Sequence, residues 1–138
     1  MSSYVDQIIE QVSAWPGIRA EPHRFGGVEF DLAGREVGHI HRNGMVDIPF
    51  NTAIRNQLLA ERKAEPHHIL GDSGWITFYM HADSDVPNVL WLFRLAYLFQ
   101  VIRGRNRTAG LVAVEHELET LRLSDPLRAV FDDLLSKL

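Results

Sequence analysis

The chain has 138 residues, of which 46% are hydrophobic and 23% charged, with a formal net charge of −4 at pH 7 and no cysteine. This length and composition are typical of one globular domain that buries a substantial core. The lack of cysteine excludes disulfides, thiolate metal ligands and cysteine nucleophiles. Basic residues are scattered apart from Arg103, Arg105 and Arg107, so no nucleic-acid partner is expected.

The N-terminal residues lack a basic region followed by an apolar run, so we expect no secretory signal and a cytoplasmic protein. The most apolar segment, residues 86–102, contains Pro87, Asn88, Arg94 and Gln100 and is barely long enough for a bilayer. Its apolar residues surround a helix on all sides. We therefore expect no membrane span but a helix buried against the sheet and against either the C-terminal helices or a second subunit.

Apolar residues spaced three and four apart predict helices, and alternating apolar residues predict strands. In chain order, the predicted elements are a helix from Ser3 to about Ala14, an edge strand over 18–25, strands over 28–32 and 35–41, a hairpin over 38–50, a helix from the N-cap Asn51 to about Lys63, an irregular loop over 65–75, a strand over 75–81, the helix over 86–102, a loop over 103–110, and helices over 111–123 and 126–135. This order predicts an α+β fold, an antiparallel sheet with helices packed on one face and extra C-terminal helices.

The hairpin over 38–50 can form in two registers. A two-residue turn would place one hydrophobic and one charged residue on each face. A three-residue turn over 42–44 pairs Ile40 with Val46 and His39 with Asp47, which gives one apolar face. Because a one-residue slip moves every side chain to the other face, the pattern favours the three-residue turn.

The same alternation predicts a second, polar face on the sheet. Antiparallel sheets often expose one face to solvent. The alternative to a functional site is therefore an ordinary solvent-exposed polar face. The residues on this face are Glu29, Asp31, His39, His41, Asp47, Thr77, Tyr79 and His81.

His39 and His41 are two apart on a strand and therefore point to the same side. With His67, His68 or Asp47 they could form a metal site, although the spacing identifies no third ligand. Asp47 opposite His39 could instead orient the imidazole as a general base. The simpler interpretation is a cross-strand ion pair.

The loop over 65–75 carries further polar residues. Ser73 precedes a strand and does not match a nucleophile elbow, so it is expected to be a turn residue. Trp75 could stack on a ligand or cover the edge of the core. The adjacent His67 and His68 would point in opposite directions in an extended segment, so we expect one of them to serve a given site.

Six blocks of the sequence carry a family resemblance: Phe25–Phe30, Arg35–His41, Val46–Phe50, Ala64–His68, Ser73–Trp75 and Trp91–Tyr97. In this order they resemble the luciferase domain family, which comprises many small bacterial proteins and, more distantly, the fungal luciferases. Fungal luciferases oxygenate a hydroxylated pyrone with dioxygen and need no separate organic cofactor. The resemblance implies a common fold and pocket, but light emission is not expected because shared fold does not carry function. The resemblance lies between Phe25 and Tyr97, and residues 103–138 fall outside it.

We therefore predict a single luciferase-like α+β domain over residues 1–138, with 103–138 as a helical C-terminal extension. Its expected function is to bind a small molecule in a histidine-rich pocket. The first hypothesis is an enzyme without a cofactor, an oxygenase-like enzyme acting on a phenolic or enolic aromatic or a related lyase or hydrolase. The alternatives are a non-catalytic ligand-binding or partner-binding module and a histidine-based metal-binding protein. The C-terminal helices could also pair with a second copy.

Each candidate site residue has an expected role. His39 is the base, and Asp47 orients it. The remaining residues bind substrate, either by holding an anionic oxygen or by offering a flat surface to an aromatic ring. These are His41, His67, His68, Trp75 and Tyr79; no metal ligand and no cofactor is assigned.

Overall fold

The computed structural model of the protein describes residues 3–138. Its helices are α1 (Tyr4–Ser13), α2 (Thr52–Ala60), α3 (Val86–Arg103), α4 (Arg105–Thr108), α5 (Val114–Thr120) and α6 (Asp125–Ser136). Its strands are β1 (Ile18–Pro22), β2 (Val28–Leu32), β3 (Arg35–Ile40), β4 (Met45–Pro49), β5 (Glu65–Pro66) and β6 (Trp75–Tyr79).

The six strands form one antiparallel sheet in the order β1-β2-β3-β4-β6-β5. Together with the helices this confirms the predicted α+β fold. Pro22 lies on the edge strand β1, where a missing N–H interrupts no ladder. β5 was expected to be loop, because a two-residue strand is too short to show alternation.

Helix α3 lies at the centre of the core. Phe93 packs edge-on against Phe30 of β2, with ring centroids 5.3 Å apart. On another side of the helix, the indole N–H of Trp91 donates to the carbonyl of Leu121 at 3.0 Å. The prediction of a helix buried on more than one side is therefore confirmed within one chain, against the sheet and the C-terminal segment. Within residues 3–138, no helix combines the length and hydropathy needed to cross a membrane.

The C-terminal helices contribute to the same core. Leu118 of α5 and Leu127 and Phe131 of α6 are buried together with residues of the sheet and α3. The single domain over residues 1–138 and the pairing of these helices with a second copy remain predictions.

Several predicted boundaries shift. Asn51 caps α2 as expected by accepting from the N–H of Ile54. The helix ends at Ala60 rather than Lys63, because Arg62 adopts a left-handed conformation with φ of 58°. The segment predicted as a loop over 103–110 contains the short helix α4.

The structure confirms the hairpin with the three-residue turn. His39 lies opposite Asp47, and Ile40 lies opposite Val46. Gly44 closes the turn with φ of 94°, a conformation that other residues rarely adopt.

A β-bulge interrupts the pairing of β2 and β3. Phe30 pairs with Gly38 and Asp31 pairs with Glu36, so Val37 has no partner. In a regular strand Glu36 and His39 would point to opposite faces. The bulge places both on the polar face and leaves Val37 fully buried in the core.

Gly38 allows the bulge to sit tightly under α3. A Cβ atom at this position would lie 2.9 Å from Cε1 of Phe93 and 3.0 Å from the carbonyl oxygen of Asp47. Both distances are shorter than normal van der Waals contact.

We expect Gly38→Ala to lower the free energy of unfolding by about 1–3 kcal/mol, because the added methyl overpacks this contact. Gly71→Ala is the matched control, since its nearest heavy atom would be 3.8 Å away and its effect should stay within about 0.5 kcal/mol. Urea unfolding measures both. Equal effects at the two positions would contradict the packing argument.

Candidate functional site

The polar face of the sheet carries a cavity of about 260 Å³. It contains five of the seven histidines of the chain. These come from the segment after β1, from β3 and its turn, and from the loop after β5. The lining residues are His23, Arg24, His39, His41, Asp47, His67, His68 and Ile69.

Asp47 lies at the centre of this cluster with its side chain 1% exposed. Its Oδ2 atom is 3.1 Å from Nε2 of both His39 and His41, and its Oδ1 atom accepts from the Thr77 hydroxyl at 2.6 Å. Burial raises the pKa of the Asp47 carboxyl, but the hydrogen bonds from these three side chains outweigh burial and hold the pKa well below its usual value. Asp47 is therefore ionised.

Both loop histidines reach Asp47. Nε2 of His67 and Nδ1 of His68 each lie 3.5 Å from Oδ1 of Asp47, and the two rings stack at 4.2 Å. The expectation that the two side chains would point in opposite directions is wrong, because the chain turns here rather than continuing extended. The turn is closed by the N–H groups of Ile69 and Leu70, which both donate to Nδ1 of His67. Because Nδ1 accepts, Nε2 of neutral His67 carries the proton and faces Asp47.

His39 lies between two carboxylates. Its Nδ1 atom is 2.6 Å from Glu36, and its Nε2 atom faces Asp47. Burial lowers the pKa of His39, but the hydrogen bonds to Asp47 and Glu36 outweigh burial and raise the pKa to about 9. In the protein alone His39 is therefore a cation at neutral pH, which argues against its predicted role as a neutral base.

Two residues of the cluster were not among the sequence candidates. His23 stacks on His39 with ring centroids 4.1 Å apart. Burial of His23, together with the nearby His39 and His41, lowers its pKa. Glu36 was not considered as a site residue, and regular alternation would point it away from His39. The signal available for it was Gly38, since a glycine inside a strand pattern can mark a bulge.

The two aromatic candidates have different positions. The Trp75 ring lies 5.8 Å from the His39 ring and 5.5 Å from the His67 ring, at the edge of the cluster. Tyr79 instead lines a separate cavity of about 330 Å³ beside Leu59 and Lys63. The structure therefore brings together six of the seven candidates and leaves Tyr79 apart.

The donor atoms in the cluster are close enough to share a metal ion. Ligand atoms of His23, His39 and His41 lie within 4.8 Å of one another. Those of Asp47, His67 and His68 do so as well. The buried histidine and aspartate cluster is compatible with binding a small molecule or a metal.

We expect the free energy of unfolding, measured by urea titration with a chelator present, to fall as pH rises from about 6.5 to about 9. Folding raises the pKa of His39 from 6.5 to about 9. The proton bound to His39 therefore stabilises the folded protein below about pH 6.5, and this stabilisation is lost as the pH rises to about 9. His39→Gln should flatten the decline. His116→Gln, which changes an exposed histidine outside the cluster, should leave it unchanged. A decline that persists in His39→Gln would assign the effect to another group.

The comparison with known proteins finds a family match in the central part of the chain. The family model described as Luciferase domain matches residues 34–96. This stretch contains β3, β4, β6 and the loop that carries His67 and His68. No curated protein sequence and no solved structure matches the chain. The resemblance to the luciferase domain family is thus confirmed over residues 34–96, the stretch that the family model matches.

Proposed function

We propose that the histidine pocket binds a divalent metal ion through His39, His41 and Asp47 and presents it to a small oxygen-bearing ligand. The observation that carries the proposal is one Asp47 carboxylate oxygen that lies 3.1 Å from Nε2 of both histidines. Neighbouring ligands of an octahedral metal stand about 3 Å apart when each bond is about 2.1 Å. Two imidazoles and one carboxylate are the ligand set of non-haem iron oxygenases.

Glu36 supports this assignment. Metal-bound histidines usually donate their second ring N–H to a carboxylate or carbonyl, which fixes the ring and raises its basicity. Nδ1 of His39 makes such a contact with Glu36 at 2.6 Å, so its Nε2 atom is free to ligate once its proton is released. His67 differs, because its Nε2–H faces Asp47 at 3.5 Å and can donate a hydrogen bond to a bound ligand.

The mouth of the pocket favours an aromatic anion. Arg24 lines the cavity and contributes a positive charge. Phe25, which follows the pocket-lining Arg24, is 95% exposed. Ile69, which lines the pocket itself, is 77% exposed. Exposed apolar side chains beside a polar pocket are typical of ligand-binding surfaces. A phenolate or enolate ring meets both requirements, and the resemblance to oxygenating luciferases points to the same class of ligand.

A metal-free enzyme is the second candidate. In it a histidine removes the proton of a phenol or enol before the anion reacts with dioxygen. His23 suits this role better than His39, because burial lowers the pKa of His23 and keeps it neutral. Asp47 would then orient His39 and His41 rather than the base itself.

We expect the protein to bind Fe(II) or Co(II) with one metal per chain, as measured by anaerobic calorimetry and metal analysis. His41→Ala should lower the affinity by at least about a hundredfold, because it removes a ligand. Glu36→Gln should lower it by about 10–100-fold while retaining all three ligands. His116→Ala should have no effect. Failure to bind either metal, or equal affinities for His41→Ala and His116→Ala in folded protein, would contradict the metal proposal.

We expect oxygen uptake when hydroxylated aromatics are added to the metal-loaded protein, measured with an oxygen electrode. His41→Ala should lose this activity, whereas His23→Ala should retain most of it. Uptake that survives a chelator and disappears in His23→Ala would favour the metal-free enzyme. A ligand that binds by calorimetry without any oxygen uptake or product would leave the non-catalytic binding module as the function.

A further inference from the structure

A second charged cavity lies at the far end of α3, between the turn that joins β2 to β3 and the junction of α3 with α4. It has a volume of about 400 Å³ and shares no residue with the histidine pocket. Four arginines line it, with no acidic residue among its lining side chains. They are Arg35, Arg103, Arg105 and Arg107.

The cavity arginines form no ion pair within residues 3–138, whereas four of the eight arginines elsewhere in the chain do. For example, Arg94 pairs with Glu117 and Arg128 pairs with Asp132. The formal net charge of the chain is −4. This end of the protein therefore carries a local cluster of unpaired positive charge, opposite in sign to the net charge of the chain.

Contacts within the protein involve two of the four cavity arginines, Arg107 and Arg103. Arg107 donates to the carbonyl of Ala33 at 3.0 Å, and the Arg103 guanidinium lies 5.4 Å from the Phe99 ring centroid. One cation in the last turn of α3 also complements the helix dipole. Arg35 and Arg105 make no side-chain hydrogen bond within residues 3–138, so their donors are available to a ligand.

The chemistry of the cluster favours phosphate. Guanidinium groups bind phosphate through paired N–H donors. A phosphomonoester carries up to two negative charges at neutral pH, which matches several arginines better than a carboxylate does. Four arginines around one cavity form a localised positive cluster, which is smaller than the extended basic surface that binds nucleic acid.

An apolar pocket of about 210 Å³ adjoins the arginine cavity, and Arg105 lines both. Its walls include Val101, Ile102, Val112 and Leu135. The volume suits a short hydrocarbon group rather than the paired acyl chains of a membrane lipid. A charged cavity and an apolar pocket that share one residue fit a ligand with a phosphate at one end and an apolar group at the other.

We propose that these two cavities form one binding site for a small phosphomonoester that carries a short hydrocarbon group. The phosphate lies among Arg35, Arg103, Arg105 and Arg107, and the hydrocarbon lies beside Val101 and the C-terminal helices. The site is separate from the histidine pocket and does not depend on the function proposed for that pocket.

Calorimetry with hexyl phosphate, inorganic phosphate and hexanol tests the proposal. Hexyl phosphate should bind at least about tenfold more tightly than inorganic phosphate, because only hexyl phosphate fills the apolar pocket. The double variant Arg35→Ala/Arg105→Ala should weaken hexyl phosphate binding at least about tenfold. Arg19→Ala/Arg128→Ala, which removes the same charge elsewhere, and His41→Ala, which changes the other pocket, should leave it unchanged. Far-UV circular dichroism checks that each variant is folded.

Ala109→Trp separates the two halves of the site. Ala109 is an exposed lining residue of the apolar pocket, so a tryptophan there should lower the affinity for hexyl phosphate to that for inorganic phosphate. Equal affinities for the two phosphates in the parent protein, or unchanged binding by the double arginine variant, would overturn the proposal. Binding to phosphatidic acid vesicles without binding to hexyl phosphate would also overturn it.

Discussion

A buried carboxylate in the middle of the sheet is the constraint on which the polar face depends. Asp47 lies on β4, which is flanked on both sides by other strands, and its charge is almost completely removed from bulk water. A buried charge without partners is strongly destabilising, typically by about 3–5 kcal/mol when one partner of a buried pair is removed. The hydroxyl and imidazole donors around Asp47 are therefore needed for the fold as well as for any chemistry.

The sheet itself delivers two of those donors. His39 stands directly opposite Asp47 on β3, and Thr77 stands directly opposite it on β6. Opposed residues of an antiparallel pair bring their side chains within contact distance without any special loop. The turn after β3 adds His41, and the loop after β5 adds His67 and its neighbour. Rigid strands thus fix the centre of the cluster, and connecting segments complete its rim.

Patterns local in sequence were sufficient for the centre of the site and for the buried helix. One register alone gave Ile40 and Val46 a common apolar face, so the pairing of His39 with Asp47 followed from hydrophobicity. The position of Glu36 did not follow, because the bulge depends on how Gly38 packs under Phe93, a residue far away in sequence.

The positions of the loop histidines and of His23 at the rim of the site could not be predicted either, because they depend on turns and on sheet order. The loop histidines turn together because backbone N–H groups bond one ring, and no periodicity describes such a turn. His23 reaches the cluster from the segment after edge strand β1, so its contact with His39 depends on sheet order. The arginine cavity likewise needs the end of α3 to meet the β2–β3 turn, a contact that joins distant parts of the chain.

The position of Trp75 has a consequence for spectroscopy. Its ring lies within 6 Å of the ring centroids of His39 and His67, whereas Trp15 packs on Tyr97 and Trp91 bonds to Leu121. Protonated imidazoles quench indole fluorescence at short range. Emission from one of the three tryptophans thus reports the charge state of the cluster, and phenylalanine at the other two positions would isolate that signal.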